Sequence, residues 1–120
     1  MAPEATDPSS SQLMQVSRAL MRVYKDSLGR GPDRAHTHYA GPDAIVCCLE
    51  GTLTPVERTL TTIAGHQRLR ETRILIQDAA EAEMCLLVEK ITGRRVIAST
   101  SGFDVRADFA TEAFKFAPLL

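Results

Sequence analysis

The chain has 120 residues, 44% apolar and 24% charged, with 14 basic against 15 acidic side chains and a net charge of −1. That length builds one domain around a single core, and a balanced charge excludes a field drawing it to nucleic acid or an anionic membrane. Four Phe, two Tyr and no Trp leave few platforms for base stacking, and no apolar run approaches the ~18–20 residues of a membrane span.

The opening MAPEATDPSSSQ lacks the basic and apolar regions of a signal peptide. It reads as a disordered tail over residues 1–9, followed by a single α+β domain over 10–120. Three cysteines, two of them adjacent, oppose a disulfide framework and suit a reducing cytoplasm.

The first predicted helix spans Gln12 to Leu28, with Ser9 or Ser10 as its cap and Leu13, Val16, Leu20 and Val23 at helical spacing. Gly29 to Asp33, GRGPD, ends it. Two β-like runs, RAHTHYA and AIVCCLE, flank Gly41-Pro42-Asp43 and predict a hairpin. Alternation in the second run turns Ile45, Cys47 and Leu49 inward.

TLTPVERTL follows, with Thr54 as N-cap, Pro55 at the first helical position and Glu57 closing a capping box. Val56, Leu60 and Ile63 are expected to form the buried stripe of this short helix. A longer helix is predicted over Gln67 to Thr92. At ~100° per residue, its Leu69, Ile76, Ala80, Leu87 and Ile91 point nearly opposite to the earlier stripe, so a break is expected at Ala64-Gly65-His66. After Gly93, RRVIAST reads as a strand, SGFDVRAD as a polar connection and ATEAFKFA as a last strand. The order α-β-β-α-α-β-β predicts an α+β fold, a four-stranded, mainly antiparallel sheet covered by helices.

Leu75, Ala79, Ala82 and Leu86 make a second stripe on the long helix. About 26 helical residues extend about 39 Å, whereas strands of six or seven residues cover about 20–23 Å. Part of the helix is therefore expected to overhang its sheet with apolar side chains exposed, unless helix one or a second subunit covers them. A homodimer interface at these four residues follows.

HTHYAGPDAIVCC, His36 to Cys48, raises a metal site. Zinc needs about four converging ligands, and Cys47 and Cys48 point to opposite faces of a strand, so His36 and His38 are the only metal candidates, with Cys48 as a third donor. A hairpin with two surface histidines is favoured, and no metal or cofactor is implied. Nucleophilic roles for Cys48 or Cys85 lack a visible base. Glu50, Glu57, Asp104 and Asp108 pair as acid and base only on paper, since Glu57 caps a helix and the two aspartates sit in a turn-like region. GRGP lacks phosphate-loop spacing. EGTLTPVER puts a helix N-terminus after a strand, a generic anion site, whose dipole Glu57 already complements. His66, Arg68, Arg70, Arg73, Arg94 and Arg95 are interleaved with acids and read as a solvated face.

The assembled features resemble a bacterial family of small domains, the MpsC-like component of a sodium-translocating, membrane-potential-generating system. GRGP after the first helix, AIVCCLEGTLTPVERTL and LVEKITGRRVIASTSGFDVRAD carry the likeness, over about Leu13 to Phe116. The chain departs from the family pattern in His36/His38, Cys47/Cys48 and a longer AGPDA turn. The resemblance implies an accessory or regulatory protein linked with membrane ion or inorganic-carbon transport, and supplies no catalytic residues. The expectation is a non-enzymatic, cytoplasmic, dimeric interaction domain that meets a transport subunit and binds neither nucleic acid nor the bilayer interior. The alternative is a metal- or small-ligand sensor using His36 and His38.

Overall fold

A computed structural model describes residues 8–119. The elements are α1 (Pro8–Leu28), β1 (Arg34–Tyr39), β2 (Ala44–Glu50), α2 (Pro55–Ala64), α3 (His66–Thr92), β3 (Val96–Asp104) and β4 (Phe109–Phe116). The strands form one sheet in the order β1-β2-β4-β3, each neighbouring pair antiparallel. This is the α+β class and element order expected from the sequence. The helices α1 and α3 pack on each other and on the sheet, α1 against β1 and α3 against β3.

The core lies between these layers. It draws Val16, Leu20 and Val23 from α1, Ile45, Cys47 and Leu49 from β2, Ala110, Phe114 and Phe116 from β4, and Leu69, Met84 and Val88 from α3. Ile45, Cys47 and Leu49 thus face inward as alternation requires, while Ala44, Val46, Cys48 and Glu50 are half-buried. Each fully buried large apolar side chain contributes about 1.5–3 kcal/mol. Phe114 and Phe116 are therefore the main anchors of β4.

Several boundaries differ from expectation. Helix α1 begins at Pro8, so Ser9 and Ser10 lie within its first turn; proline is tolerated there because its missing N–H has no partner to lose. The rest of the tail assigned to residues 1–9 lies outside the described residues. Strand β3 continues through the stretch expected to be a polar connection, pairing Gly102 with Thr111, Phe103 with Ala110 and Asp104 with Phe109. Cross-strand pairing overrides the loop-like Ser/Gly composition, and only residues 105–108 remain as the turn.

The break at Gly65 is present, with φ 86, a conformation open to glycine and costly for other residues. The expected buried stripe of α2 is not buried: Val56, Leu60 and Ile63 are 69%, 40% and 76% exposed, and Glu57 is the buried residue. On α3 the buried residues are Leu69, Arg73, Gln77, Met84 and Val88. The expected face is therefore off-centre, with Ile76, Ala80, Leu87 and Ile91 half-buried along its margin. Both errors have one cause: polar side chains occupy the middle of the inward faces, and a hydropathy pattern turns them outward.

The overhang is smaller than expected. Buried residues run along α3 from Leu69 to Val88, and β3 and β4 have nine and eight residues rather than six or seven, so the strands cover about 30 Å of a helix about 40 Å long. The stripe Leu75, Ala79, Ala82 and Leu86 is exposed along the back of the helix instead of at a projecting end.

Candidate functional site

Arg73 and Gln77 are four residues apart, one turn along a helix, and each organises a polar cluster against the sheet. Arg73 is 0% exposed. Its Nε and one terminal nitrogen donate to Glu57 Oε2 and Oε1 at 3.0 and 2.6 Å. The other terminal nitrogen donates to Thr52 Oγ1 at 2.8 Å, and the first also reaches the Thr52 carbonyl at 3.2 Å. The guanidinium plane covers the Phe103 ring at 4.3 Å. A planar fork with five donors suits such a bidentate, stacked site and an ammonium does not.

Glu57 performs two tasks at once. Its Oε1 accepts from the Thr54 N–H at 2.9 Å while its own N–H donates to Thr54 Oγ1 at 3.2 Å, the reciprocal capping box read from the sequence. Burial pushes its carboxyl upward, but the hydrogen bonds from Arg73 and Thr54 and the Arg73 charge outweigh this and hold it below the usual glutamate range.

The generic anion site at EGTLTPVER is filled from within the chain. Asp108 Oδ1 accepts from the backbone N–H of Thr52 at 2.7 Å and of Leu53 at 3.0 Å, and from Thr52 Oγ1 at 3.2 Å. Asp108 has φ 53, a left-handed turn position that aspartate tolerates better than most residues. Next to it, Gly51 has φ 71, and a Cβ there would lie 2.1 Å from Asp33 Oδ2. Gly51→Ala is therefore expected to cost on the order of 1–2 kcal/mol and to push Asp33 off Arg30, its partner at 2.7 Å; thermal unfolding measures the loss.

The second cluster surrounds Glu112, which is 1% exposed. Tyr24 donates to its Oε2 at 2.6 Å and Gln77 Nε2 at 3.2 Å, while Ser101 donates to Oε1. Gln77 Nε2 also lies 3.2 Å from the Gly102 carbonyl, and Gln77 Oε1 is buried without a protein partner. Among the described residues no cation forms an ion pair with the carboxyl. Burial accordingly raises Glu112 above the usual carboxylate range despite the three donors, and Glu81 adds to the rise. Burial also raises the Tyr24 hydroxyl, with the neighbouring Glu112 charge as the next cause. Cys47, opposite Glu112 in the sheet, is pushed up to about 11 mainly by burial, so its thiol is no nucleophile at neutral pH.

The sequence candidates are dispersed. His36 and His38 are exposed on edge strand β1, their rings 6.3 Å apart and inclined by 25°, and His36 stands across from Cys48. Among the described residues no group of three or more His, Cys, Asp or Glu side chains is placed to hold a metal ion. Of the basic group, Arg68 and Arg70 are exposed, whereas Arg73 is buried and Arg94 is tied to Asp43 at 2.7 Å and to the Pro42 and Ala117 carbonyls. The solvated basic face is therefore split. His66, Arg70 and Arg106 do border an open groove of about 560 Å³ beside Phe103 and Phe109.

Sequence reasoning missed the Arg73 and Glu112 clusters. One signal was present: Leu69, Arg73 and Gln77 keep strict four-residue spacing, and a capping glutamate on a preceding helix gives an inward arginine an anion to meet.

The exposed apolar side chains include Leu75 and Leu86 on α3, 68% and 67% exposed, and the α2 stripe. Among the described residues no helix is long and apolar enough to cross a membrane. No curated protein and no solved structure matches the chain. A family model does match, over residues 11–118. With nearly the whole domain inside that match, the chain belongs to the family described as the Na+-translocating membrane potential-generating system (MpsC).

Proposed function

We propose that this chain is a non-enzymatic, cytoplasmic accessory subunit that regulates membrane ion or inorganic-carbon transport, acting as a homodimer docked on a membrane transport protein. The single observation that carries the proposal is the exposed apolar stripe along the back of α3, Leu75, Ala79, Ala82 and Leu86. Apolar side chains aligned at helical spacing on a surface mark an interaction site more often than scattered ones do. The family link supplies the membrane system. The buried polar groups support the same direction, because Glu57, Arg73, Asp108 and Glu112 are engaged in hydrogen bonds between the chain's own elements.

With α3 assigned to the dimer, Val56, Leu60 and Ile63 on α2 are left for the transport subunit. In solution the protein is expected to run at twice its 13.1 kDa mass in light scattering. Detergent-solubilised transport subunit is expected to co-purify with it, and Val56→Asp with Ile63→Asp to abolish that capture while leaving the dimer intact. A monomer at all concentrations defeats the dimer half, and undiminished capture by the α2 variant defeats the docking half.

A further inference from the structure

The stripe on α3 reads the same from either end: Leu75, three residues, Ala79, two residues, Ala82, three residues, Leu86. Its centre lies between Ala80 and Glu81. We infer that α3 pairs with α3 of a second copy of this chain, antiparallel about a two-fold axis through that centre, so that Leu75 packs on Leu86 of the second copy and Ala79 on Ala82. This deepens the dimeric part of the proposed function and rests on it.

A two-fold interface uses one patch twice, so every residue must meet its mirror position. Any helix paired antiparallel with its own copy meets that demand, and the symmetric spacing of this stripe adds that an apolar side chain faces an apolar one at all four levels. The small residues fall at the crossing point, where backbones approach most closely, and the larger leucines close over both ends. The stripe lies opposite the buried residues Arg73, Gln77 and Met84, so the core is undisturbed by its pairing.

Charge modulates the seam without deciding it. Glu71 and Lys90 occupy mirrored positions and so lie level with each other across the pair. Asp78 and Glu83, both exposed and both acidic, are mirrored nearer the centre. Exposed pairs of either sign contribute little in water, so the apolar contact wins, and added salt, which screens the central repulsion, tightens the dimer. Four residues per chain make a small interface, and dissociation is expected on the order of micromolar.

Cysteine cross-linking tests the register. In a background with Cys48→Ser and Cys85→Ser, keeping the buried Cys47, chains carrying Leu75→Cys are mixed with chains carrying Leu86→Cys and oxidised. The mixture is expected to give a covalent dimer. Neither variant alone does, because like positions lie roughly 16 Å apart along the helix. Ala82→Cys alone is expected to link to itself, sitting near the axis, and Ala79→Leu to weaken association at least tenfold. Because all these positions are exposed, circular dichroism should show the fold retained. Self-linking by Leu75→Cys, or a wild-type dimer with no link in the mixture, overturns this seam while leaving the dimer itself standing. A wild-type monomer removes both.

Discussion

Arg73→Ala is expected to cost about 3–5 kcal/mol, a large share of the ~5–15 kcal/mol that holds a domain together. The change leaves the Glu57 carboxylate buried without its cation, removes both bonds to Thr52 and strips the cover from Phe103. Arg73→Lys restores the charge but neither the two-pronged contact nor the stacking, so most of the loss should persist. Arg73→Met combined with Glu57→Gln is expected to be milder than Arg73→Ala, because both charges go together and glutamine keeps the cap on Thr54. Urea denaturation of the four proteins decides this. Equal losses in the double and single variants would show that the ion pair does not carry the site.

Glu112 is expected to act in the opposite sense. Its folded-state pKa is raised, so the native state holds its proton more readily than the unfolded chain. Stability from this group is therefore full at acid pH and falls as pH rises from about 4.3, the ordinary glutamate value, to the raised folded value, then levels off. Glu112→Gln is expected to stabilise the protein at neutral pH by on the order of 1 kcal/mol or more, with the gain shrinking toward pH 4. Glutamine can still accept from Tyr24 and donate to Ser101. Glu112→Ala instead strands Tyr24, Ser101 and Gln77 beside a cavity and is expected to cost about 2–4 kcal/mol. A destabilised Glu112→Gln variant whose deficit ignores pH would mean that the three donors favour the carboxylate after all.

The pair makes a contrast visible in a pH titration of stability. Glu57, whose pKa is lowered, contributes stability present above its unfolded value and lost as pH falls through the folded one. Glu112 contributes the reverse slope in the carboxylate range. Removing the Glu57–Arg73 pair should flatten the acid loss, and removing the Glu112 charge should flatten the decline toward neutrality.

The sequence by itself determined the element order, the hairpin, the capping box at Thr54 and Glu57 and the break at Gly65. Each is written in a few neighbouring residues whose backbone preferences act locally. It also determined which residues line the inner face of β2, since a period of two leaves one choice once Ile45, Cys47 and Leu49 are apolar. The family likeness lay in the same short runs. Only the tertiary structure decided that Arg73 and Gln77 face inward, that Val56, Leu60 and Ile63 face outward, and that Asp108 closes the β2–α2 loop from 55 residues away. A charged side chain is stable inside only when a partner from a distant element satisfies it, and no local pattern contains that partner. Hydropathy therefore rotates such residues into solvent, and the helices that carry them are read with the wrong face down.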